Sequence, residues 1–221
     1  MTFNFLIKNS AEWTVLFFIL ALIALVTQVG KESFAKSVPG VLRHLLKAAP
    51  ALFLAGLTWY LQAPLLLTLA LLLCASGDIF LDIPSEKAPW AFKIGAASFA
   101  AALVCLSIEY WGRATQAHPL MPLALTNLVI AIFILRWVVP QLTGANRILE
   151  PVYFGFLVVS NIIASETTVP IFLGSSLWLM SDLSIGLSEN ILAAKTEVNS
   201  LDTLGLYDLG LYFIALGFIN S

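Results

Sequence analysis

An all-α, polytopic transmembrane bundle of about eight spans is the fold class this sequence predicts, and three observations predict it. Of the 221 residues, 60% are apolar and 11% charged, against roughly half and a quarter in soluble domains. Apolar runs near 20 residues long recur from end to end. A helix rising about 1.5 Å per residue needs about that length to cross roughly 30 Å of hydrocarbon with its backbone groups bonded internally. The breaks between runs are short and hold Pro, Gly or Asn, as at Gln62-Ala63-Pro64 and Thr143-Gly144-Ala145-Asn146. No linker or low-complexity segment divides the chain, so residues 1–221 are expected to form a single integral membrane domain.

The first run, Trp13 to Val29, follows Lys8 and resembles a signal peptide, but it is long and lacks a small-x-small cleavage site. It is expected to be a retained span over 11–30. The second and third spans are expected over 43–61 and 64–83, the fourth and fifth over 89–111 and 120–139, the sixth over 150–167, the seventh over 169–188 and the eighth over 203–220. Cys74 and Cys105 fall inside apolar runs, where they act most simply as small hydrophobes.

Cytoplasmic connections carry the excess of Lys and Arg. Lys31, Lys36, Arg43, Lys47, Lys87, Lys93, Arg136, Arg147 and Lys195 lie at the odd-numbered connections and their flanks, while the other side keeps Lys8 and Arg113. Both termini are therefore expected outside the cytoplasm. Spans three and seven share a short pattern, Ser76-Gly77-Asp78 and Met180-Ser181-Asp182, compatible with a four-plus-four parallel repeat or with chance.

A carboxylate near the middle of a membrane helix costs roughly 2.5–3.5 kcal/mol, whereas each Leu or Ile returns about 0.3–0.6. Asp78 and Asp182 are the deepest acids, and Asp82 shares a helical face with Asp78 because it lies four residues on. In the expected orientation these acids lie in the cytoplasmic half. Lys47, Glu150, Tyr153, Tyr207 and Asp208 belong to spans that begin on that side, so the sequence predicts a polar pocket entered from the cytoplasmic leaflet. Asp82, Glu150, Asp202 and Asp208 fall near predicted helix ends, where a solvated interfacial charge is the plain expectation. Lys47 either joins the acids or snorkels to headgroups. Gly77, Ser175, Ser176, Ser181 and Ser184 are most simply small residues that let helices approach.

Several chemistries lack their parts. His44 and His118 are the only histidines and are predicted on opposite faces, which leaves a His-rich zinc site without ligands and a Ser-His-Asp triad unsupported. No phosphate loop, nucleotide fingerprint or paired Cys motif is present. No metal or cofactor is expected. The net charge of -2 gives no reason to expect nucleic acid as a partner.

Lys47-Ala48-Ala49-Pro50, Gly77-Asp78, Gly95-x-x-x-Phe99, Tyr153, Ser181-Asp182 and Tyr207 follow one another along the chain. In order and spacing this resembles the YhhN-type lysoplasmalogenase family of eight-span membrane hydrolases. The resemblance implies cleavage of the vinyl ether bond of a lysophospholipid, lysoplasmalogen, to a fatty aldehyde and a glycerophospho-base. That reaction needs one protonated acid and one anion, for which Asp78 and Asp182 are the expected catalytic pair, with Lys47, Asp82, Tyr153, Ser181 and Tyr207 expected to bind the substrate and the lipid bilayer as the setting. The chain departs from the family pattern at Leu103, Leu106 and Leu211, which stand where members commonly carry polar groups. A small transporter or lipid carrier using the same acids, or a catalytically silent relative, are the competing expectations.

Overall fold

A computed structural model describes residues 2–29, 40–83, 88–114, 120–144, 146–190 and 197–220, with the side chains of 2–10, 29, 89, 189–190 and 197–202 excepted. Lys31, Lys36, Lys87, His118, Ala145 and Lys195, and the side chains of Lys8 and Asp202, lie outside what is described.

Among the described residues, eight α-helices follow the apolar runs: α1 Thr2–Val29, α2 Gly40–Tyr60, α3 Leu65–Leu81, α4 Pro89–Arg113, α5 Met121–Val138, α6 Asn146–Ala164, α7 Val169–Asn190 and α8 Glu197–Ile219. A 3-10 turn, Val139–Gln141, extends α5. Six helices are long and apolar enough to cross a membrane, and the two shorter apolar stretches are Leu65–Leu81 and Thr203–Ile219. The fold is a helical membrane bundle. Large apolar side chains such as Leu22, Ile132 and Phe133 stand exposed on its outer surface, as lipid-facing positions should.

The breaks work as local chemistry requires. α2 ends with Gln62 in the left-handed region at φ 55°. The Ala63 amide donates to the Thr58 carbonyl and the Gln62 amide to Trp59, the paired bonds that close a helix C-terminus before a proline. Thr58 and Thr68 then share a hydrogen bond of 3.0 Å across the α2–α3 hairpin.

Helix contacts close into a ring in the order α1, α2, α3, α4, α6, α7, α8 and back to α1, with α5 resting outside on α6 and α7. α1 belongs to the ring: Phe17 stacks on Tyr212 at 5.0 Å and Thr14 bonds the Tyr212 hydroxyl at 2.9 Å. The α7–α8 interface is the most extensive. It closes tightly because a Cβ built on Gly174 would sit 2.5 Å from the Gly210 carbonyl oxygen, and one on Gly210 would sit 2.8 Å from that of Gly174. This is the small-residue approach that drives helix pairing where burial from water offers no force. α3 and α7 are separated around the ring, so their side chains meet only across its interior.

Candidate active site

Six element ends gather at one end of the ring: the starts of α2, α4, α6 and α8 and the finishes of α3 and α7. Asp78, Asp82, Asp182, Lys47, Tyr153 and Tyr207 lie within about three turns of this end. Asp78 is one turn before the end of α3 and only 3% exposed. Its Oδ2 accepts a hydrogen bond of 3.1 Å from the Tyr207 hydroxyl on α8. Asp182, partly buried on α7, accepts a hydrogen bond of 2.6 Å from the Tyr153 hydroxyl on α6. Two acids on separated helices are thus each held by a phenol from another helix.

Aromatic rings line the interior beside them. Phe99 of α4, Trp178 of α7 and Tyr207 of α8 pack edge to face, with centroids 5.7 to 6.1 Å apart, the arrangement that ring quadrupoles favour. Trp178 lies one turn before Asp182 and therefore on the same face of α7. Its indole adjoins both Asp182 and Tyr153, yet Nε1 makes no well-formed hydrogen bond. Gly77 is what admits Phe99: a Cβ there would lie 2.5 Å from the ring. Cys74, one turn deeper than Asp78, is buried beside Tyr207. Both Cys74 and Cys105 are free thiols.

Charge reaches across the same interior. Asp78 is attracted by Lys47 and repelled by Asp182 and Asp82. Lys47, on α2 and partly buried, forms no direct ion pair among the described residues, so it acts on Asp78 through space. Ser181 and Asp82 have protein partners. The Ser181 hydroxyl donates to the Thr203 carbonyl at 2.7 Å and ties α7 to α8. Asp82, at the end of α3, accepts through Oδ2 from Arg43 Nε at 3.1 Å and pairs with His44 Nδ1 as well.

Asp208 corrects an expectation. Read as a solvated interfacial charge, it is 3% exposed, interacts with Asp78 and Lys47, and leaves Oδ1 without a hydrogen bond. The reason is helix length: α8 starts at Glu197 rather than near residue 203, which puts Asp208 three turns inside. Leu103, Leu106 and Leu211 are all buried in the ring's apolar interior, so the places where the resembled family carries polar groups are filled here with hydrocarbon.

Opposite this end, a second polar set is internally satisfied. Asn127 of α5 donates to Asn161 of α6 at 3.1 Å and to Ser176 of α7 at 3.0 Å, while Asn161 donates to Ser175 and Ser176. Ser175 and Ser176 therefore do more than save space: Ser176 anchors the outlying α5, and both tie α7 to α6.

A ring of apolar helices holding paired carboxyl–phenol contacts in its interior defines a polytopic membrane protein with an internal polar site. Within that class, a family model places it. The model described as the YhhN family matches residues 42–218, and the chain belongs to that family. No curated protein and no solved structure matches the chain.

Proposed function

We propose that this protein is a membrane-embedded hydrolase that cleaves the vinyl ether bond of a lysoplasmalogen, with Asp78 and Asp182 as its acid/base pair. The observation that carries the reading is that two intramembrane carboxyls from separated helices face one interior, each positioned by its own tyrosine. Family membership supports it.

Vinyl ether hydrolysis asks little beyond such a pair. A proton adds to the alkenyl carbon beta to oxygen, the ether oxygen stabilises the resulting oxocarbenium ion, and water adds to give a hemiacetal. The hemiacetal collapses to a fatty aldehyde and a glycerophospho-base, so one water is consumed and the acid regains its proton. One carboxyl serves as general acid while the other, as an anion, stabilises the cation and orients the water. Two carboxyls sharing a dry interior favour a state with one proton between them. The Tyr207 and Tyr153 hydroxyls hold the carboxyl planes in place. Lys47 meets the substrate phosphate, and the alkenyl chain lies along the apolar faces in which Leu103, Leu106 and Leu211 are buried.

The test is turnover of an alkenyl lysophospholipid by the detergent-purified protein in D2O. Fatty aldehyde carrying one deuteron next to its carbonyl is the expected product, and the saturated alkyl ether, which has no double bond to protonate, is expected to survive. Equal cleavage of both ethers, or cleavage of neither, would contradict the reading.

A further inference from the structure

We infer that Arg43, clamped by Asp82 at the end of the ring, forms with Lys47 a binding site for the phosphate of a single-chain glycerophospholipid. The inference rests on the proposed hydrolase reading for its substrate and extends it to a group that reading does not use. Arg43 and Lys47 are four residues apart on α2 and so project from one face of that helix. Arg43 binds Asp82 Oδ2 through Nε alone, at 3.1 Å. That contact leaves the two terminal amino groups of the guanidinium for another acceptor, and a planar fork of donors matches a phosphate. The guanidinium is not a loose surface charge: its side chain is 22% exposed and that of Asp82 7%. His44, on the same carboxylate oxygen, completes the clamp.

Asp82 is therefore a positioning residue. Its carboxylate aims Arg43 and, already holding two cationic or donor groups, is poorly placed to receive the anionic headgroup itself.

Distance supports the assignment. Asp78 and Asp82 are four residues apart, about 6 Å along the axis. In a lysoglycerolipid the ether oxygen and the phosphorus are separated by five single bonds, about 6 Å when extended. With the ether oxygen beside Asp78, the phosphate falls at the level of Asp82, where Arg43 is held, with Lys47 on its inner side. The headgroup then points out of the ring and the chain inward, as an amphiphile entering from a leaflet must lie.

The experiment measures binding and not turnover, so it stands apart from the hydrolase reading. The full chain in detergent would be titrated with acyl lysophosphatidylethanolamine, which has the phosphate but no vinyl ether, and with monoacylglycerol, which has the chain alone. The wild-type protein is expected to prefer the phospholipid, and Arg43→Gln to weaken its binding tenfold or more while leaving monoacylglycerol unchanged. Arg43→Lys is expected to keep part of the preference. Because Arg43→Gln strands the Asp82 charge, the double variant Arg43→Gln/Asp82→Asn provides a second test with no orphaned ion, and the same loss of preference is expected. An unchanged preference in that double variant, or equal losses for both lipids, would overturn the site. Soluble glycerophosphoethanolamine binding as tightly as the lipid would overturn the lipid assignment. Phosphate-selective lipid binding without any aldehyde release would leave this site standing and remove the hydrolase reading.

Discussion

Asp78 and Tyr207 show how much rests on single atoms. The tyrosine does two things: its ring packs against Phe99 and Trp178, and its hydroxyl holds the carboxyl. Tyr207→Phe separates them, keeping the packing and removing the bond. A hydrogen bond to a buried carboxyl contributes about 1.5–3 kcal/mol. We therefore expect kcat for vinyl ether cleavage to fall about 10- to 100-fold, with little change in KM and a melting temperature lowered by several degrees. A variant as fast as wild type would show that Tyr207 does not position the acid. Asp208 presents the opposite case, a buried carboxylate oxygen with no hydrogen bond. Replacing such a group by an apolar one of similar size is often stabilising. Asp208→Leu is expected to raise the melting temperature by a few degrees, and a lowered one would mean the carboxylate is a structural counter-ion to Lys47.

At the scale of helices, the sequence reads well where hydrophobicity decides and poorly where partners decide. Every apolar run became a helix, because a chain in hydrocarbon has no other way to satisfy its backbone. The ends moved where polar residues continue a helix past its apolar part: α1 begins at Thr2 rather than near 11, and α8 at Glu197 rather than near 203. α6 begins at Asn146 rather than near 150, and Pro151 is accommodated inside it. Asp78 and Asp182 were legible because a charge in an apolar run is costly and conspicuous. Which tyrosine holds which acid, and the clamp of Arg43 and His44 on Asp82, were not, since nothing local encodes which helices the ring brings together. The most extensive pairing, α7 with α8, leads to a direct prediction. Gly174→Val places methyl groups against the Gly210 backbone, which no side chain can vacate, so the protein is expected to lose its monodisperse elution peak. Retention of the peak with unchanged melting would contradict the close approach. Asn161→Leu removes bonds to α5 and α7. At roughly 0.6 and at most about 1.7 kcal/mol per interhelical bond in membranes, it should lower the melting temperature without altering headgroup selectivity.

For the whole molecule, ring closure is what lets residues more than 100 positions apart in the chain share one interior, as Asp78 and Tyr207 do. It also collects the polar groups toward one end. From the distribution of Lys and Arg we propose that this end faces the cytoplasm. In a background lacking the native cysteines, Gln62→Cys, on the α2–α3 connection, is expected to react with an impermeant thiol reagent from the non-cytoplasmic side. Thr143→Cys is expected to react only once the membrane is opened, and the reverse pattern would invert the bundle. The central claim, that the two intramembrane carboxyls perform the chemistry, is tested most directly by aldehyde release from lysoplasmalogen by wild type, Asp78→Asn and Asp182→Asn at matched folding. The account predicts a loss of at least about 100-fold for each variant, the least that an acid or base in its transition state contributes. Undiminished release by either variant would contradict it.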